Sequence, residues 1–187
     1  MKILGFNASP RIKGNTAWVI NKIFESAKKQ GAEAQIWHFS NLDINPCKGC
    51  LACKKTGTCA VDDDMQKIYN EIESADAIVL GSPVYMGQMT AQSKIFTDRL
   101  FAQISPRFSP HYKEKEVKKK LLLVFTQGNP DVQFFRDYYD YTKRMFNMLE
   151  FDTQEVCVIA GTRTENAHEK KELYNVLENI GASLVLG

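Results

Sequence analysis

The 187-residue sequence lacks several features of exported, membrane-spanning and disordered proteins. It contains no run of about 18 consecutive apolar residues, and residues 1–15 turn polar too early to form the apolar core of a signal peptide. It also lacks Pro/Gly/Ser tracts, internal repeats and linker-like composition. We therefore expect a single domain over residues 1–187 that is cytoplasmic and has no membrane partner.

A strong excess of charge of one sign is also lacking. The net charge of +2 gives little attraction for a polyanion. The one basic cluster, residues 113–120, is interrupted by Glu114 and Glu116, and we interpret it as a solvated loop or strand flank. The three histidines are scattered and form no motif with the cysteines. The sequence therefore indicates neither a nucleic-acid partner nor hydrolytic Cys/His catalysis.

Apolar runs bounded by turn residues alternate with longer amphipathic stretches along the chain. The predicted strands are 2–7, 34–39, 77–81, 121–126 and 154–160, and the predicted helices are 15–30, 65–74, 91–104, 131–149 and 167–180. This alternation is typical of an α/β doubly wound, five-stranded parallel sheet with helices on both faces, for which two strand orders are common. Ligand loops in such folds follow the carboxyl ends of the strands. Two connections, 40–64 and 105–119, are longer than usual and are therefore candidates for function.

The turn after the first predicted strand is rich in hydroxyl, amide and cationic side chains and leads directly into a helix. Ser9, Arg11, Asn15 and Thr16 can supply donors and a counter-charge beside the unpaired N–H groups of a helix N-terminus. Neither G-x-G-x-x-G nor a Walker loop is present, so a terminal monophosphate suits this turn better than a pyrophosphate. In the alternative interpretation, Asn15 or Thr16 merely caps the helix.

Two more turns at the same edge follow the third and fourth strands. The former contains Pro83, Val84, Tyr85, Met86 and Gly87, and the latter contains Thr126, Gln127, Gly128 and Asn129. Tyr85 and Met86 could cover a flat apolar ring while backbone amides bind its polar edge, although Tyr85 could equally be a surface-packing aromatic. These turns are candidates to complete one ligand site.

Four of the five cysteines lie in a loop at about 41–64. Cys47, Cys50, Cys53 and Cys59 follow the spacing C-x2-C-x2-C-x5-C, whereas Cys157 lies in an apolar strand and is interpreted as a core residue. Clustered thiols in a reducing compartment serve metals or catalysis more often than disulfides. The spacing favours an iron-sulfur cluster, with metal-free thiols and then zinc as alternatives, because structural zinc more often uses two separated pairs.

Two groups of charged residues are given structural interpretations. Asp62, Asp63 and Asp64 precede a predicted helix and are interpreted as capping residues that favour the positive end of its dipole. Lys94, Asp98 and Arg99 in the next predicted helix are interpreted as a surface or interface set. We expect no catalytic role for either group.

The motifs Ser-Pro-Arg and Gly-Asn-Thr after strand one, with Ser-Pro-Val-Tyr-Met-Gly after strand three, resemble the NAD(P)H-dependent FMN reductases. The resemblance spans most of the chain and implies a flavodoxin-like sheet of order 2-1-3-4-5. It also implies that Ser9, Arg11, Asn15 and Thr16 hold the FMN phosphate. By the same likeness, residues 83–87 meet the isoalloxazine and ribityl chain, and residues 126–129 close the site.

The cysteine loop, followed by Val-Asp-Asp-Asp-Met at 61–65, resembles the iron-sulfur flavoproteins of the same superfamily. That resemblance implies a [4Fe-4S] cluster on the four clustered cysteines, beside FMN, in an oxidoreductase that passes electrons between the two cofactors. The chemistry would belong to the cofactors, so no catalytic side chain is expected.

The partners and the rival functions are also implied by the resemblance. The donor would be NAD(P)H or a reduced electron carrier, the acceptor a small molecule or a protein, and the assembly a homodimer or homotetramer. A cluster-free NAD(P)H-dependent FMN or quinone reductase is the alternative. A flavodoxin-like electron carrier is the third and least favoured function. Such carriers tend to be strongly acidic, whereas this chain has a net charge of +2.

Overall fold

The computed structural model describes residues 1–103 and 118–186, which are built around a five-stranded parallel sheet. The strands are β1 (Lys2–Asn7), β2 (Glu33–His38), β3 (Ala77–Pro83), β4 (Lys119–Thr126) and β5 (Phe151–Ile159). They lie in the order β2-β1-β3-β4-β5, and each neighbouring pair is parallel. The predicted doubly wound sheet and its flavodoxin-like order are confirmed.

Helices cover both faces of the sheet, as predicted. They are α1 (Asn15–Lys29), α2 (Ala52–Thr56), α3 (Met65–Ser74), α4 (Ala91–Arg99), α5 (Arg136–Met148) and α6 (Glu172–Leu186). One buried cluster joins α3, α4 and α5 to the sheet, and a second joins α1 and α6 to the opposite face. In β4, Leu121 and Leu123 belong to the first cluster, whereas Leu122 and Val124 belong to the second. This alternation follows from the two-residue period of a strand that is buried on both sides.

Helix α1 lies unusually close to both α6 and the sheet. A Cβ atom at Gly181 of α6 would lie 2.3 Å from the Ile23 carbonyl oxygen, and one at Gly81 of β3 would lie 2.7 Å from Ile20 Cδ1. Only residues without a side chain allow these approaches. They hold α1 against the sheet, so that its N-terminus lies at the carboxyl ends of the strands.

Helix α5 begins later than predicted, at Arg136 rather than at Asp131. Asn129 Oδ1 accepts a hydrogen bond from the Asp131 N–H, and Asp131 Oδ1 accepts one from the Gln133 N–H, both at 2.9 Å. Such side-chain-to-backbone turns compete with helix formation. Residues 131–135 therefore form turns, and the predicted helix begins five residues too early.

The last helix also begins later than predicted, at Glu172. Asn166 and Glu169 form a reciprocal capping box around one 3₁₀ turn, Ala167–Glu169, and Lys170 then takes an extended conformation. A capping box can begin either an α-helix or a 3₁₀ turn, because it satisfies the first N–H groups of both. The sequence alone therefore does not show that the helix at Ala167 ends after one turn.

Other predictions concern the long connections. The segment 40–64 contains the short helix α2, which was not predicted. Most of the predicted loop 105–119 and of the basic cluster 113–120 lies outside the described residues, although Lys119 opens β4. Within the described ranges, no helix is both long and apolar enough to cross a membrane.

A buried ion pair fixes the end of the cysteine-bearing segment to α4. Arg99 donates from Nη1 to Asp63 Oδ2 at 2.6 Å and from Nη2 to Asp63 Oδ1 at 3.0 Å, and the two side chains are 0% and 1% exposed. The interpretation of Arg99 as a surface residue was therefore wrong, because its guanidinium is buried and paired with the Asp63 carboxylate. Lys94 and Asp98 do lie on the surface, as an exposed pair at 2.5 Å.

Asp63 Oδ1 also accepts a hydrogen bond from the N–H of Met65, the first residue of α3, at 3.0 Å, whereas the N-cap residue Asp64 makes no side-chain cap bond. Burial by itself raises the pKa of Asp63, but hydrogen bonds from Arg99 and from the Asn45 and Met65 N–H groups outweigh burial and lower that pKa below its usual value. The carboxylate therefore remains charged at neutral pH.

We expect the Gly181→Ala substitution to lower the free energy of unfolding by about 1–3 kcal/mol, because the added Cβ forces α1 and α6 apart. In an exposed helix the same change would stabilise the protein. Urea denaturation measures the difference, and Asn179→Ala on the exposed face of α6 is the control. Equal stability of the Gly181→Ala variant and the wild type would contradict the close packing.

We expect the Asp63→Asn substitution to lower the free energy of unfolding at pH 7 by about 3–5 kcal/mol, because it leaves Arg99 buried without a counter-charge. The pKa of Asp63 is lowered in the folded state, so its contribution is present above about pH 4 and is lost as the pH falls through the folded-state value.

Denaturation at several pH values should therefore show that the wild type loses more stability on acidification than the Asp63→Asn variant does. Asp98→Asn, which breaks an exposed pair on the same helix, should change stability by less than about 1 kcal/mol. Parallel pH profiles for the wild type and the Asp63→Asn variant would refute the role of this ion pair.

Candidate functional site

A cleft of about 710 Å³ opens at the carboxyl edge of the sheet. Its walls come from the loops after β1, β3, β4 and β5 and from the first turn of α1. The volume lies within the range of about 300–1,000 Å³ that is usual for small-molecule and cofactor sites. The position is the one that the sequence predicted for ligand loops.

Nine of the thirteen predicted cofactor-binding residues line this cleft. They are Ser9, Arg11, Asn15, Thr16, Pro83, Val84, Tyr85, Thr126 and Gly128. The other four, Met86, Gly87, Gln127 and Asn129, are not among the lining residues. The structure thus brings the three predicted loops together at the cleft, but four of their predicted residues do not line it.

The buried side chain of Gln127 holds the loop after β4 in place. It is 1% exposed, its Nε2 donates to the Asn129 and Asp131 carbonyl oxygens at 3.0 and 2.7 Å, and its Oε1 accepts a hydrogen bond from Tyr139 Oη. Burial is the main cause that raises the pKa of Tyr139 to about 12, so this phenol donates at neutral pH. Gln127 therefore shapes the loop rather than facing the cleft.

The N-terminus of α1 opens into the cleft without a side-chain cap. The N-cap residue is Gly14, and no side chain accepts a hydrogen bond there. Asn15 Oδ1 instead accepts a hydrogen bond from the Ala167 N–H at 2.9 Å, and Thr16 Oγ1 pairs with Thr126 Oγ1 at 2.8 Å. The capping alternative for Asn15 and Thr16 is therefore wrong, and the first turn presents its N–H groups and positive dipole end to a ligand.

The charge of the cleft is positive. Arg11 and Lys13 are exposed side chains on its wall, and the described residues that line it include no Asp or Glu. The loop that carries Arg11 is shaped locally, because Asn7 Oδ1 accepts from the Ser9 N–H and Ser9 Oγ accepts from the Arg11 N–H, both at 3.1 Å. Two cations beside an uncapped helix N-terminus favour an anionic group.

The loop after β3 is a tight turn that separates two predicted ring contacts. The Tyr85 N–H bonds the Gln88 carbonyl oxygen at 2.8 Å, and the Gln88 N–H bonds the Tyr85 carbonyl oxygen at 3.1 Å, with Met86 and Gly87 at φ of 50° and 79° between them. Tyr85 lines the cleft, whereas Met86 is 100% exposed. Of the two predicted ring contacts, Tyr85 lines the cleft and Met86 does not.

Hydrogen bonds connect the loops to one another. The Val84 N–H bonds the Thr126 carbonyl oxygen at 2.9 Å, which joins the loops after β3 and β4. Thr90, the N-cap of α4, donates from Oγ1 to the Ala8 carbonyl oxygen at 2.9 Å, and its N–H bonds Ser82 Oγ at 3.0 Å. The floor of the cleft is therefore held by bonds between segments that are distant in sequence.

Sequence reasoning missed one wall of the cleft. This wall consists of Trp18, Thr162, Asn166 and His168. The rings of Trp18 and His168 meet edge to face, with centroids 6.4 Å apart. The Asn-x-x-Glu capping pattern that starts at Asn166 was a usable signal for an ordered turn after β5. Nothing in the sequence placed Trp18 beside that turn.

The four clustered cysteines lie at the surface. Cys47 and Cys50 are exposed, and Cys53 and Cys59 are half-buried. Burial is the largest effect on Cys53 and raises the pKa of its thiol. Lys54 opposes this effect, and the other three cysteines add to it. Over residues 1–103 and 118–186, however, no three Cys, His, Asp or Glu side chains converge on one point as metal ligands would. The donor set suits an iron-sulfur cluster chemically, but the described loop does not gather the sulfur atoms.

Comparisons with known sequences give two kinds of relative. An iron-sulfur flavoprotein of Methanosarcina thermophila is 42% identical over 99 residues, which are 53% of this chain and 52% of that protein. An iron-sulfur flavoprotein of Archaeoglobus fulgidus is 44% identical over 99 residues, which are 53% and 48% of the two chains. The chain thus spans about half the length of these relatives. An FMN-dependent NADH:quinone oxidoreductase of Metamycoplasma arthritidis is 26% identical over 184 residues, 92% of each chain.

Solved structures support the fold, and a family model gives the family. An NAD(P)H:quinone oxidoreductase from Methanothermobacter marburgensis superposes with a TM-score of 0.75 at 13% identity, over 98% of this chain and 96% of that one. At that identity the likeness shows the fold alone. A family model for NADPH-dependent FMN reductases matches residues 1–133, which is more than half of the chain. The chain therefore belongs to the family of NADPH-dependent FMN reductases.

Proposed function

We propose that the chain is an FMN-dependent oxidoreductase that takes electrons from NAD(P)H and binds FMN in the cleft at the carboxyl edge of the sheet. The observation that carries the proposal is the division of that cleft into a cationic end at an uncapped helix and an end with Pro83, Val84 and Tyr85. FMN has the same division, with a phosphate at one end and a flat ring at the other.

At the phosphate end, each polar side chain keeps a donor for an anion. In the pair between Thr16 and Thr126 one hydroxyl donates to the other, which leaves the second proton available. Asn15 uses Oδ1 to hold Ala167, so its Nδ2 can donate elsewhere. Arg11 adds a full positive charge, and the absence of carboxylates among the described lining residues avoids repulsion of a phosphate dianion.

At the ring end, the proposed contacts are Tyr85 on one side and the turn that contains Thr126 and Gly128 on the other. Tyr85 is 47% exposed, which leaves aromatic surface available for a ring to cover. The backbone bond between Val84 and Thr126 fixes the distance between the two walls. Met86, at the exposed tip of the turn, is available to a second molecule rather than to the bound flavin.

Bound FMN would supply hydride acceptance and release of electrons singly or in pairs. The chain's own residues would bind the phosphate, orient the ring and leave one ring face open to the nicotinamide and then to an acceptor. The acceptor would be a small molecule or a protein. We also propose that residues 1–187 form one domain that works in the cytoplasm as a homodimer or homotetramer, as the family resemblance implies.

We expect the Arg11→Met substitution to weaken FMN binding about tenfold, because it removes a charge-assisted contact to the phosphate. Riboflavin lacks the phosphate, so its affinity should not change. Fluorescence titration of both flavins measures the two dissociation constants, and Arg144→Met, at an exposed position of α5, is the control for loss of a positive charge. Equal weakening of FMN and riboflavin would contradict the assignment of the phosphate end.

We further propose that Cys47, Cys50, Cys53 and Cys59 bind a [4Fe-4S] cluster, so that the chain handles electrons at two sites. The iron-sulfur flavoproteins of Methanosarcina thermophila and Archaeoglobus fulgidus, to which the chain is similar, support this proposal, as does the spacing of the four cysteines. Lys54, beside Cys53, adds positive charge near the anionic cluster that thiolates form. The loop would have to gather its sulfur atoms when the cluster is assembled.

A cluster-free NAD(P)H-dependent FMN or quinone reductase is the second candidate. Two observations favour it: the described cysteines do not converge, and the quinone oxidoreductase of Metamycoplasma arthritidis matches over 92% of both chains. In that case the loop would carry four free thiols at the surface. The two candidates share the flavin cleft and differ only in the cysteine loop.

Anaerobic purification with flavin, iron and acid-labile sulfide analysis separates the two candidates. If the cluster is bound, we expect about four irons and four sulfides per chain, and the Cys50→Ala and Cys53→Ala variants should lose iron while they retain FMN. Cys157→Ala is the matched control, because Cys157 is buried in β5 and should affect neither cofactor. Wild-type protein with FMN, no iron and four titratable thiols would establish the cluster-free reductase instead.

A further inference from the structure

The side chain of Arg99 closes both ends of the cysteine segment. Before the segment, Nη1 donates to the Asn45 carbonyl oxygen at 2.8 Å. After the segment, Nη2 donates to the Val61 carbonyl oxygen at 3.3 Å, and both nitrogens bind the Asp63 carboxylate. Asn45 is two residues before Cys47 and Val61 is two residues after Cys59. One buried guanidinium thus joins the two points where the chain enters and leaves the loop 46–60.

Further hydrogen bonds complete this closure. Asp63 Oδ2 accepts a hydrogen bond from the Asn45 N–H at 2.9 Å, so the carboxylate also bridges the two ends. Gln66 of α3 donates from Nε2 to the Cys59 and Val61 carbonyl oxygens at 3.0 and 2.6 Å. The base of the loop is therefore held by several polar contacts around the buried Arg99 and Asp63 side chains, although its four cysteines are exposed or half-buried.

The loop beyond this base has little regular structure to orient it. The one helix within it, α2, has five residues, and neither of its ends has a side-chain cap. Leu51, Gly49 and Gly57 all have positive φ, and no heavy atom lies within 4 Å of the Cβ position of either glycine. Beyond the base, Lys54 Nζ donates to the Phe101 carbonyl oxygen at 2.5 Å and lies 3.8 Å from the centroid of the Phe101 ring, just after α4. The base and this contact together position the cysteines relative to the end of α4.

Helix α4 connects this base to the flavin cleft. Its C-terminal residue is Arg99, and its N-cap is Thr90, which bonds Ala8 in the loop after β1 and Ser82 at the end of β3. The nine residues of the helix span about 13 Å at the usual rise per residue. Helix α4 is therefore a rigid connection between the floor of the cleft and the base of the cysteine loop.

We propose that Arg99 is a positioning residue of the cysteine site: it fastens both ends of the loop 46–60 to the end of α4 and so fixes where the cysteines stand relative to the flavin cleft. The planar fork of arginine is required, because the acceptors lie on three residues in different directions. A buried ion pair is weak evidence for stability alone, which favours a role in specifying geometry. The inference rests on the proposed function only in taking the cysteines as the second reactive site.

The test compares Arg99→Lys with Lys94→Met, which breaks an exposed pair on the same helix, and with the wild type. Lysine keeps the positive charge beside Asp63 but cannot reach all the acceptors at once. In the FMN-loaded, metal-free chain we expect amide hydrogen exchange in residues 46–60 to rise about tenfold in Arg99→Lys and to stay unchanged in Lys94→Met. The affinity for FMN and the exchange of the α1 amides should match the wild type in both variants.

Unchanged exchange of residues 46–60 in Arg99→Lys would overturn the proposal, and so would an equal rise in the loop and in α1, because that result indicates general loosening. If Arg99→Lys does not fold, Asp63→Glu provides the same comparison, since it keeps the charge pair and displaces the loop ends by one methylene. Failure of the cluster proposal can be distinguished from failure of the Arg99 proposal. Wild-type protein without iron refutes the cluster, while hydrogen exchange still decides the role of Arg99. With a cluster present, Arg99→Lys should shift the reduction potential of the cluster but not that of the flavin, and unshifted potentials would count against positioning.

Discussion

The position of helix α1 is the constraint on which the proposed flavin cleft depends. Three glycines, Gly5, Gly81 and Gly181, face it from β1, β3 and α6, and a Cβ atom at any of them would lie within 2.7 Å of an α1 atom. Because the helix is held so closely on two sides, its N-terminus has one available place, at the edge where the strands end. The positive end of the helix and the hydroxyl of Thr16 are thus delivered to the cleft by packing that lies outside it.

The two proposed sites are supported in different ways. The flavin cleft is built on the sheet, and hydrogen bonds join its loops directly to one another. The cysteine loop, between β2 and α3, is attached at its base through Arg99 and Asp63 and farther along through Lys54, which contacts Phe101. A rigid cleft suits a cofactor that must be oriented in advance. A loop held at its base and through Lys54 suits a group whose ligands are gathered when that group is assembled, because such a loop can close with little disturbance of the core.

Signals that are local and repeated along the chain predicted most of the fold. All five strands and the loops that reach the cleft followed from apolar runs and from turn residues at the strand ends, whereas the strand order followed from the family resemblance. The errors arose where one residue acts over a long distance. Arg99 looks like an exposed helical cation in sequence, and only the folded chain shows that Asp63 meets it across the base of the loop. Trp18 and His168 are likewise brought together by the packing of α1 against the turn before α6.

Several backbone hydrogen bonds join the loops of the cleft. The Ala8 N–H bonds the Gly81 carbonyl oxygen, the Gln127 N–H bonds the Ile159 carbonyl oxygen, and the Thr162 N–H bonds the Gln127 carbonyl oxygen, all at 2.8–3.0 Å. These bonds do not depend on which side chains the loops carry. Residues such as Tyr85, on the wall of the cleft, can therefore change during evolution without altering the shape of the backbone around the ligand. The backbone frame of the cleft is thus separable from the side chains that would decide which acceptor it admits.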